Sequence, residues 1–448
     1  MTPTTTSKAL YVYLQRPDTG EWVTVGRYSP GALPKTGQFR YAPSYLSQEP
    51  QWAIDPVNLP ITSAAMSKEF AAPRYGGLHD VLRDACPDAW GQLLLQKEHN
   101  LPEGTEVRRF LGLADNSDRW GALGFGAGKK PPEATLNSPT LPQLSEVVRE
   151  LTAMTERKAA INPRLRRRLM QTLSVGGARP KATVRDDEGC YWLVKPLTKS
   201  DVVDIPCLEH FSQEWGMKAN LNFAKTVLHP ATGVNGTSAV RVLRFDRADG
   251  RRRMCVSAAS LLQAEYPGGP AKDDRWSYAR LAEELTRVGA PVEDSIELFG
   301  RMVFNAMSGN DDDHVRNHAI VYWHEEKRWR LAPAFDVVPN STETPKQLAM
   351  QLSTGRKDIS RDAILADAFR FGFKSDEEAD EYLDGLLLRI VRGFDQVEDC
   401  LDNELKHMLR MRMLDNFALL AGKPYVPGTG LIGERVQTVK YPSYDKLR

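Results

Sequence analysis

The chain has 448 residues, a formal net charge of +1, and 26% charged and 41% hydrophobic residues. That length admits two or three domains with real cores, and the near-neutral balance excludes a global basic field that would draw the chain to nucleic acid, leaving only local patches. No run approaches the roughly 18 apolar residues of a membrane span, so no membrane association is expected, and the polar start Met1 to Lys8 does not read as a secretory signal.

Leu10 to Leu14 and Trp22 to Tyr28 are β-rich runs around the turn signal Pro17 to Gly20, which predicts an opening hairpin; Gln38 to Ala42 adds a possible strand. From Leu78 to Glu98 the pattern is helical with a break at Pro87. Val107 to Leu113 reads as a short helix, and Trp120 to Phe125 as a strand or tight turn. The proline-rich stretch from Lys129 to Pro142 reads either as a linker or as a surface loop.

Leu144 to Leu151 and Arg164 to Leu173 are helical in pattern. The second is basic through Arg164, Arg166, Arg167 and Arg168, which suits a solvated face or contact with an acidic partner or nucleic acid. Ser174-Val175-Gly176-Gly177-Ala178-Arg179-Pro180-Lys181 follows, then strand-like Ala182 to Arg185, a turn, and a second strand, Cys190 to Val194, that ends in Lys195. Consecutive glycines let backbone N–H groups converge on phosphate oxygens, and a lysine from the next strand neutralises the same phosphates. The loop matches neither common phosphate-loop pattern, and a plain hairpin is the simpler explanation of it.

Leu208 to Trp215 is an apolar-faced helix with Glu209 and Glu214, either able to pair with Lys195. Phe223 to Leu228 and Ser238 to Phe245 read as strands, with a hinge expected at Leu243 to Phe245. Thereafter Tyr278 to Arg287, Asp294 to Met307, Glu378 to Phe394 and Asp402 to Leu420 are helical, interrupted by strand-like His318 to Trp323 and Arg328 to Leu331. The tail from Pro424 is polar and punctuated by glycine and proline.

The stretch Gly309 to Asn317 (Gly-Asn-Asp-Asp-Asp-His-Val-Arg-Asn) carries the chemistry. Phosphoryl transfer needs one carboxylate to deprotonate the attacking hydroxyl, and an amide and a second carboxylate to hold Mg²⁺. Asp312 and Asn317 stand in the D-x-x-x-x-N relation of a kinase catalytic loop, and Asp336 follows where D-F-G places its metal-binding Asp, here as Phe335-Asp336-Val337 without the glycine. Asp312 is the base by its offset to Asn317. An Asp/Asn-rich turn is the plainer reading. Zinc on His314 and His318 lacks the glutamate its helical motif requires, since Val315 sits there.

Taken together, Ser174 to Lys181, Lys195, Phe245-Asp246-Arg247, Gly309 to Asn317 and Leu331 to Pro339 resemble the HipA family of toxin-like serine/threonine kinases, in the same order and across most of the chain. The resemblance implies an α+β, two-lobed protein-kinase-like fold with a small N-terminal β-containing domain and a mostly helical C-terminal lobe. The expected divisions are 1–130, 143–247, 248–422 and a tail, 423–448. It further implies ATP and Mg²⁺ as cofactors. Asp312 would be the base, Asn317 and Asp336 the Mg²⁺ ligands, and Lys195 and Lys181 the ATP-phosphate contacts, with the backbone of Ser174, Val175, Gly176, Gly177 and Ala178 nearby. Leu243 and Phe245 would line the adenine hinge. Ser174 matches a serine whose autophosphorylation silences the kinase.

Family members act on aminoacyl-tRNA synthetases and bind a helix-turn-helix antitoxin of HipB type, which takes the pair to operator DNA; DNA contact is therefore expected only through that partner. Asp313 and Arg316 depart from the motif but leave base, amide and metal carboxylate intact. Two alternatives stay open: a kinase-shaped co-repressor with little catalysis, and a small-molecule kinase. Five scattered cysteines, Cys86, Cys190, Cys207, Cys255 and Cys400, with no C-x-x-C pairing, lead us to expect reduced thiols in a cytoplasm.

Overall fold

The computed structural model describes residues 9–31, 33, 35–65, 68–72, 74–132, 138–172, 177, 179–231, 236–266 and 274–428. Two compact units divide the chain. One holds Met1–Pro196, Asp246–Val256 and Val321–Lys327; the other holds Leu197–Phe245, Ser257–Ile320 and Arg328–Arg448.

The first unit opens on the predicted hairpin. Leu10–Gln15 pairs antiparallel with Trp22–Pro30, with a bulge between Val12 and Tyr13. Gly37–Tyr41 and Phe70–Ala72 extend this sheet on one side and Leu123–Gly126 on the other, making five strands. Alternation puts Phe39 and Tyr41 of Gly37–Tyr41 inside and leaves Gln38 and Arg40 exposed.

The helical stretch breaks near Pro87 as its sequence demands, into Asp80–Asp84 and Ala89–Glu98, and Asp88 caps the second by accepting from the Gly91 N–H at 2.8 Å. Buried Arg119 satisfies helix ends around it, donating to the carbonyls of Ala85, Leu111 and Ala114 at 2.6–2.9 Å.

Leu144–Thr155 and Pro163–Leu169 follow, the latter continued by a 3₁₀ turn, Met170–Thr172. Two of the basic residues there serve the fold. Arg166 pairs with buried Glu150 at 2.5 Å, and Arg168 donates to the Ser138 carbonyl at 2.6 Å. The end of the proline-rich stretch is also docked, since Pro139 accepts from the Arg185 N–H at 2.9 Å.

The second unit is built around the helix Val292–Ser308, buried almost throughout from Asp294 onward. Trp215 and Phe211 of the helix Ile205–Lys218, Phe223, Phe304 and Phe394 form an edge-to-face aromatic cluster with centroids about 5 Å apart. Asp376–Phe394 and Asn403–Ala421 complete the helical part. Thr226–His229 pairs antiparallel with Ala239–Leu243, a later start than the Phe223 to Leu228 strand expected, because the residues on either side of Phe223 bond instead to Ala334, the Ala224 N–H to its carbonyl and the Asn222 carbonyl to its N–H. Elements of four or five residues, such as Pro43–Leu46 and Arg361–Leu365, were not anticipated; so few residues show no period.

Candidate active site

Gly309 ends the central helix in the left-handed region, with φ of 77°. A Cβ there would come within 2.7 Å of Arg412 Cδ, so both conformation and space require glycine. Arg412, from the last long helix, closes this corner by donating to the carbonyls of Asn340 at 2.6 Å, Glu343 at 2.7 Å and Ser308 at 3.3 Å. Asn416 donates to the Ala306 carbonyl at 2.9 Å. Neither residue was a candidate in the sequence, because both lie about a hundred positions downstream.

The acidic loop leaves that corner as a folded object. The His314 N–H bonds to the Asp312 carbonyl at 2.9 Å and the Asn317 N–H to the His314 carbonyl at 2.8 Å. The Asn317 side chain donates from Nδ2 to the Asp312 carbonyl at 3.3 Å. Asn317 is buried, whereas Asp312 reaches solvent. Asp313 points inward, where its Oδ2 accepts from the Tyr278 hydroxyl and meets His318 Nε2 at 2.8 Å. Tyr278 also accepts from Asn305 Nδ2 at 3.1 Å, and Asn310 donates to Asn305 Oδ1 at 3.0 Å. Asp311 accepts from Asn340 Nδ2 at 3.2 Å. Tyr278, Asn305 and Asn340 are thus supports that the spacing motif did not reveal.

Asp336 is brought to the same place by a second framework. Asp294 holds Arg330 with contacts of 2.9–3.1 Å and accepts from the Leu331 N–H at 2.7 Å. Arg301, paired with Glu297 at 2.8 Å, donates to the Ala332 carbonyl at 2.8 Å. The Ala334 N–H then bonds to Asn222 at 2.9 Å. The chain turns at Asp336 with φ of 60°, a left-handed conformation that Asp tolerates.

Electrostatics tie these carboxylates together. Partial desolvation raises the Asp312 pKa first, and Asp336, Asp311 and Asp313 raise it further against a lowering effect of His314. Burial pushes the Asp313 carboxyl up, but His318, Tyr278 and His314 outweigh it and leave that pKa below the ordinary value. His314 packs against Tyr266, centroids 4.3 Å apart, and burial lowers its pKa despite Asp312 and Asp336. His318 is engaged by Asp313, and among the described residues no group of three or more His, Cys, Asp or Glu could hold a metal ion.

Phe245 lies against Phe335 with centroids 5.4 Å apart and the rings tilted by 36°, and Phe335 packs on the cluster of Ala224, Val240 and Val242. Leu243 ends its strand with its N–H on the Lys225 carbonyl at 2.9 Å. Glu209 is buried on Ile205–Lys218, and Glu214 is half-buried with its pKa raised by desolvation.

In the first unit, Ala182–Arg185 pairs with Tyr191–Pro196 in a register that sets Ala182 opposite Val194. Continuing it sets Lys181 opposite Lys195, on one face of the hairpin, and both are buried. Lys181 Nζ lies 3.3 Å from Asp88 Oδ2, so one carboxylate serves both a helix cap and this lysine. Gly177 has φ of 101°, and a Cβ there would meet Lys181 Nζ at 2.5 Å. Ser174, Val175, Gly176 and Ala178 lie outside the described residues. Asp246 and Arg247 anchor this unit: Asp246 accepts from the Gly121 N–H at 2.9 Å, and Arg247 donates to Asp246 Oδ2 and the Arg119 carbonyl, each at 2.6 Å.

Residues 173–394 match the family described as the HipA-like C-terminal domain. No curated protein matches the chain. Among solved structures, HipA of the Shewanella oneidensis MR-1 toxin–antitoxin system, in complex with HipB and its operator DNA, aligns over 92% of this chain and 98% of that one. The TM-score is 0.65 at 18% identity, so the α+β fold is shared along nearly the whole length. The Helicobacter pylori proinflammatory kinase CtkA aligns over 53% of this chain and 90% of that one, with a TM-score of 0.38 at 13% identity.

Proposed function

The chain is a HipA-family protein, and we propose that it is a HipA-type toxin kinase that moves the γ-phosphate of ATP to a serine or threonine hydroxyl of a protein. The observation that carries this reading is the second unit's gathering of Asp312, Asn317 and Asp336, with Asn317 tied to the Asp312 backbone and the charge of Asp336 felt at Asp312, whose pKa it helps to raise.

In this reading Asp312 takes the proton of the acceptor hydroxyl as its oxygen attacks the γ-phosphorus. Its exposure lets a protein side chain reach it, and the surrounding carboxylates increase its affinity for that proton. Asn317 and Asp336 offer an amide oxygen and a carboxylate, the hard oxygen donors that Mg²⁺ takes. With Asn317 Nδ2 committed to the Asp312 carbonyl, Oδ1 is the atom left for a cation, so this donor set fits the ion. When bound, Mg²⁺ neutralises phosphate charge and orients the β- and γ-oxygens. Lys195 and Lys181 bind ATP phosphates, with Gly177 as the close-approach position, and Leu243 to Phe245 receive the adenine.

Ser174 is the candidate for inactivating autophosphorylation, which would add nearly two negative charges beside the phosphate loop. An aminoacyl-tRNA synthetase or another translation factor is the proposed acceptor. A HipB-type antitoxin is the proposed partner, and DNA contact runs through it. The divisions 1–130, 143–247 and 248–422 are our functional assignment of domains.

The test is transfer of labelled γ-phosphate to the chain and to proteins of a cell lysate, with Mg²⁺ or with a chelator. Metal-dependent labelling supports the reading, and mass spectrometry of the labelled chain tests Ser174. No transfer from folded, unphosphorylated, ATP-bound protein would favour the antitoxin-binding co-repressor instead.

A further inference from the structure

Two of the five cysteines meet in the second unit and take no part in the site described above. Cys207 lies in the first turn of Ile205–Lys218, where the cap residue Asp204 accepts from its N–H at 3.0 Å. Cys400 lies 193 positions later, between the helices Asp376–Phe394 and Asn403–Ala421. Their Sγ atoms are 2.8 Å apart. Each sulfur also approaches the other residue's carbonyl oxygen, Cys207 Sγ at 2.6 Å and Cys400 Sγ at 3.6 Å. The two main-chain segments therefore run side by side with the sulfurs directed at one another. Closing to the roughly 2 Å of a sulfur–sulfur bond needs less movement than a side-chain rotation supplies.

We propose that Cys207 and Cys400 form a reversible redox-modification site that closes to a disulfide on reaction with a peroxide and reopens with a dithiol. The roles of the two sulfurs differ. Cys400 is partly exposed and Cys207 is buried. A hydrogen bond from Cys207 lowers the Cys400 pKa against burial and the carboxylates of Asp204, Asp399 and Glu398, and the same bond raises Cys207. The Cys400 thiolate attacks one peroxide oxygen; an S–O bond forms, the O–O bond breaks, and the leaving hydroxide is protonated to water. Cys207 sulfur then attacks the Cys400 sulfenic acid. The S–S bond forms, the S–OH bond breaks, and the hydroxide takes the Cys207 proton and leaves as a second water. Two thiols lose two protons and two electrons, and the peroxide is reduced to two waters.

The bond would fasten the start of the helix that carries Glu209 to the segment before the last long helix. It would close a very long loop, which constrains the unfolded chain and raises stability. This site stands independently of the kinase reading, because its readout is chemical.

The experiment uses the full chain with all five cysteines, treated with hydrogen peroxide, alkylated and digested for mass spectrometry. The expected result is one cross-linked peptide pair joining Cys207 to Cys400, two fewer alkylated thiols, and a melting temperature several degrees higher, all reversed by dithiothreitol. Cys207→Ser and Cys400→Ser should each abolish the cross-link and the melting shift while keeping the wild-type circular dichroism. Full alkylation of both cysteines after peroxide, or Cys400 recovered as sulfinic acid or joined to Cys86, Cys190 or Cys255, would overturn the proposal.

Discussion

Tyr278 donates its hydroxyl to Asp313, so the residue beside the proposed base is fixed by a side chain 35 positions upstream. Tyr278→Phe removes that donor and leaves a buried carboxylate with His318 as its remaining side-chain partner. Loss of one partner of a buried charged group costs about 1–3 kcal/mol. Urea unfolding should show a loss in that range, and phosphate transfer should fall further than stability alone explains, because the loop bearing Asp312 loosens.

The Asp313 carboxyl has its pKa below the ordinary 3.8 in the folded chain, since His318 and Tyr278 outweigh its burial. A depressed carboxylate contributes stability above its unfolded pKa and loses it as pH falls through the folded value. The wild type should therefore lose stability as pH drops below about 4 more steeply than Asp313→Asn, which has no proton to bind there. Equal slopes in unfolding midpoints across that window would contradict the assignment.

Arg412 holds three carbonyls around the end of the central helix. Arg412→Met keeps much of the packing volume and removes every donor, at a cost of about 3 kcal/mol for buried acceptors left unmet. Thermal unfolding should shift accordingly.

Gly177 combines φ of 101° with a would-be Cβ 2.5 Å from Lys181 Nζ. Gly177→Ala should cost about 1–2 kcal/mol in backbone strain. The lysine end must also move, so the larger effect should be a raised KM for ATP with a smaller change in kcat. An unchanged KM would remove Lys181 from the phosphate site.

The acidic loop was legible because its structure is local: Asp312 and Asn317 lie five residues apart and fold on each other. The opening hairpin, the helix break near Pro87 and the long helices were legible for the same reason, being set by near neighbours and period. Tyr278, Arg412 and the Cys207–Cys400 contact were not, since each joins positions from 35 to 193 residues apart that only tertiary packing brings together. Asp88 was missed differently. The structure makes it a helix cap, and nothing in its sequence neighbourhood shows that its second oxygen reaches Lys181.

The most direct measurement is single-turnover transfer of γ-phosphate by wild type and Asp312→Asn at equal, independently measured occupancy by ATP and Mg²⁺. If Asp312 is the base, the variant binds both ligands as the wild type does and transfers phosphate at least ~10²-fold more slowly. Transfer at the wild-type rate with Asp312 neutralised would contradict the central claim, whatever the family of the chain.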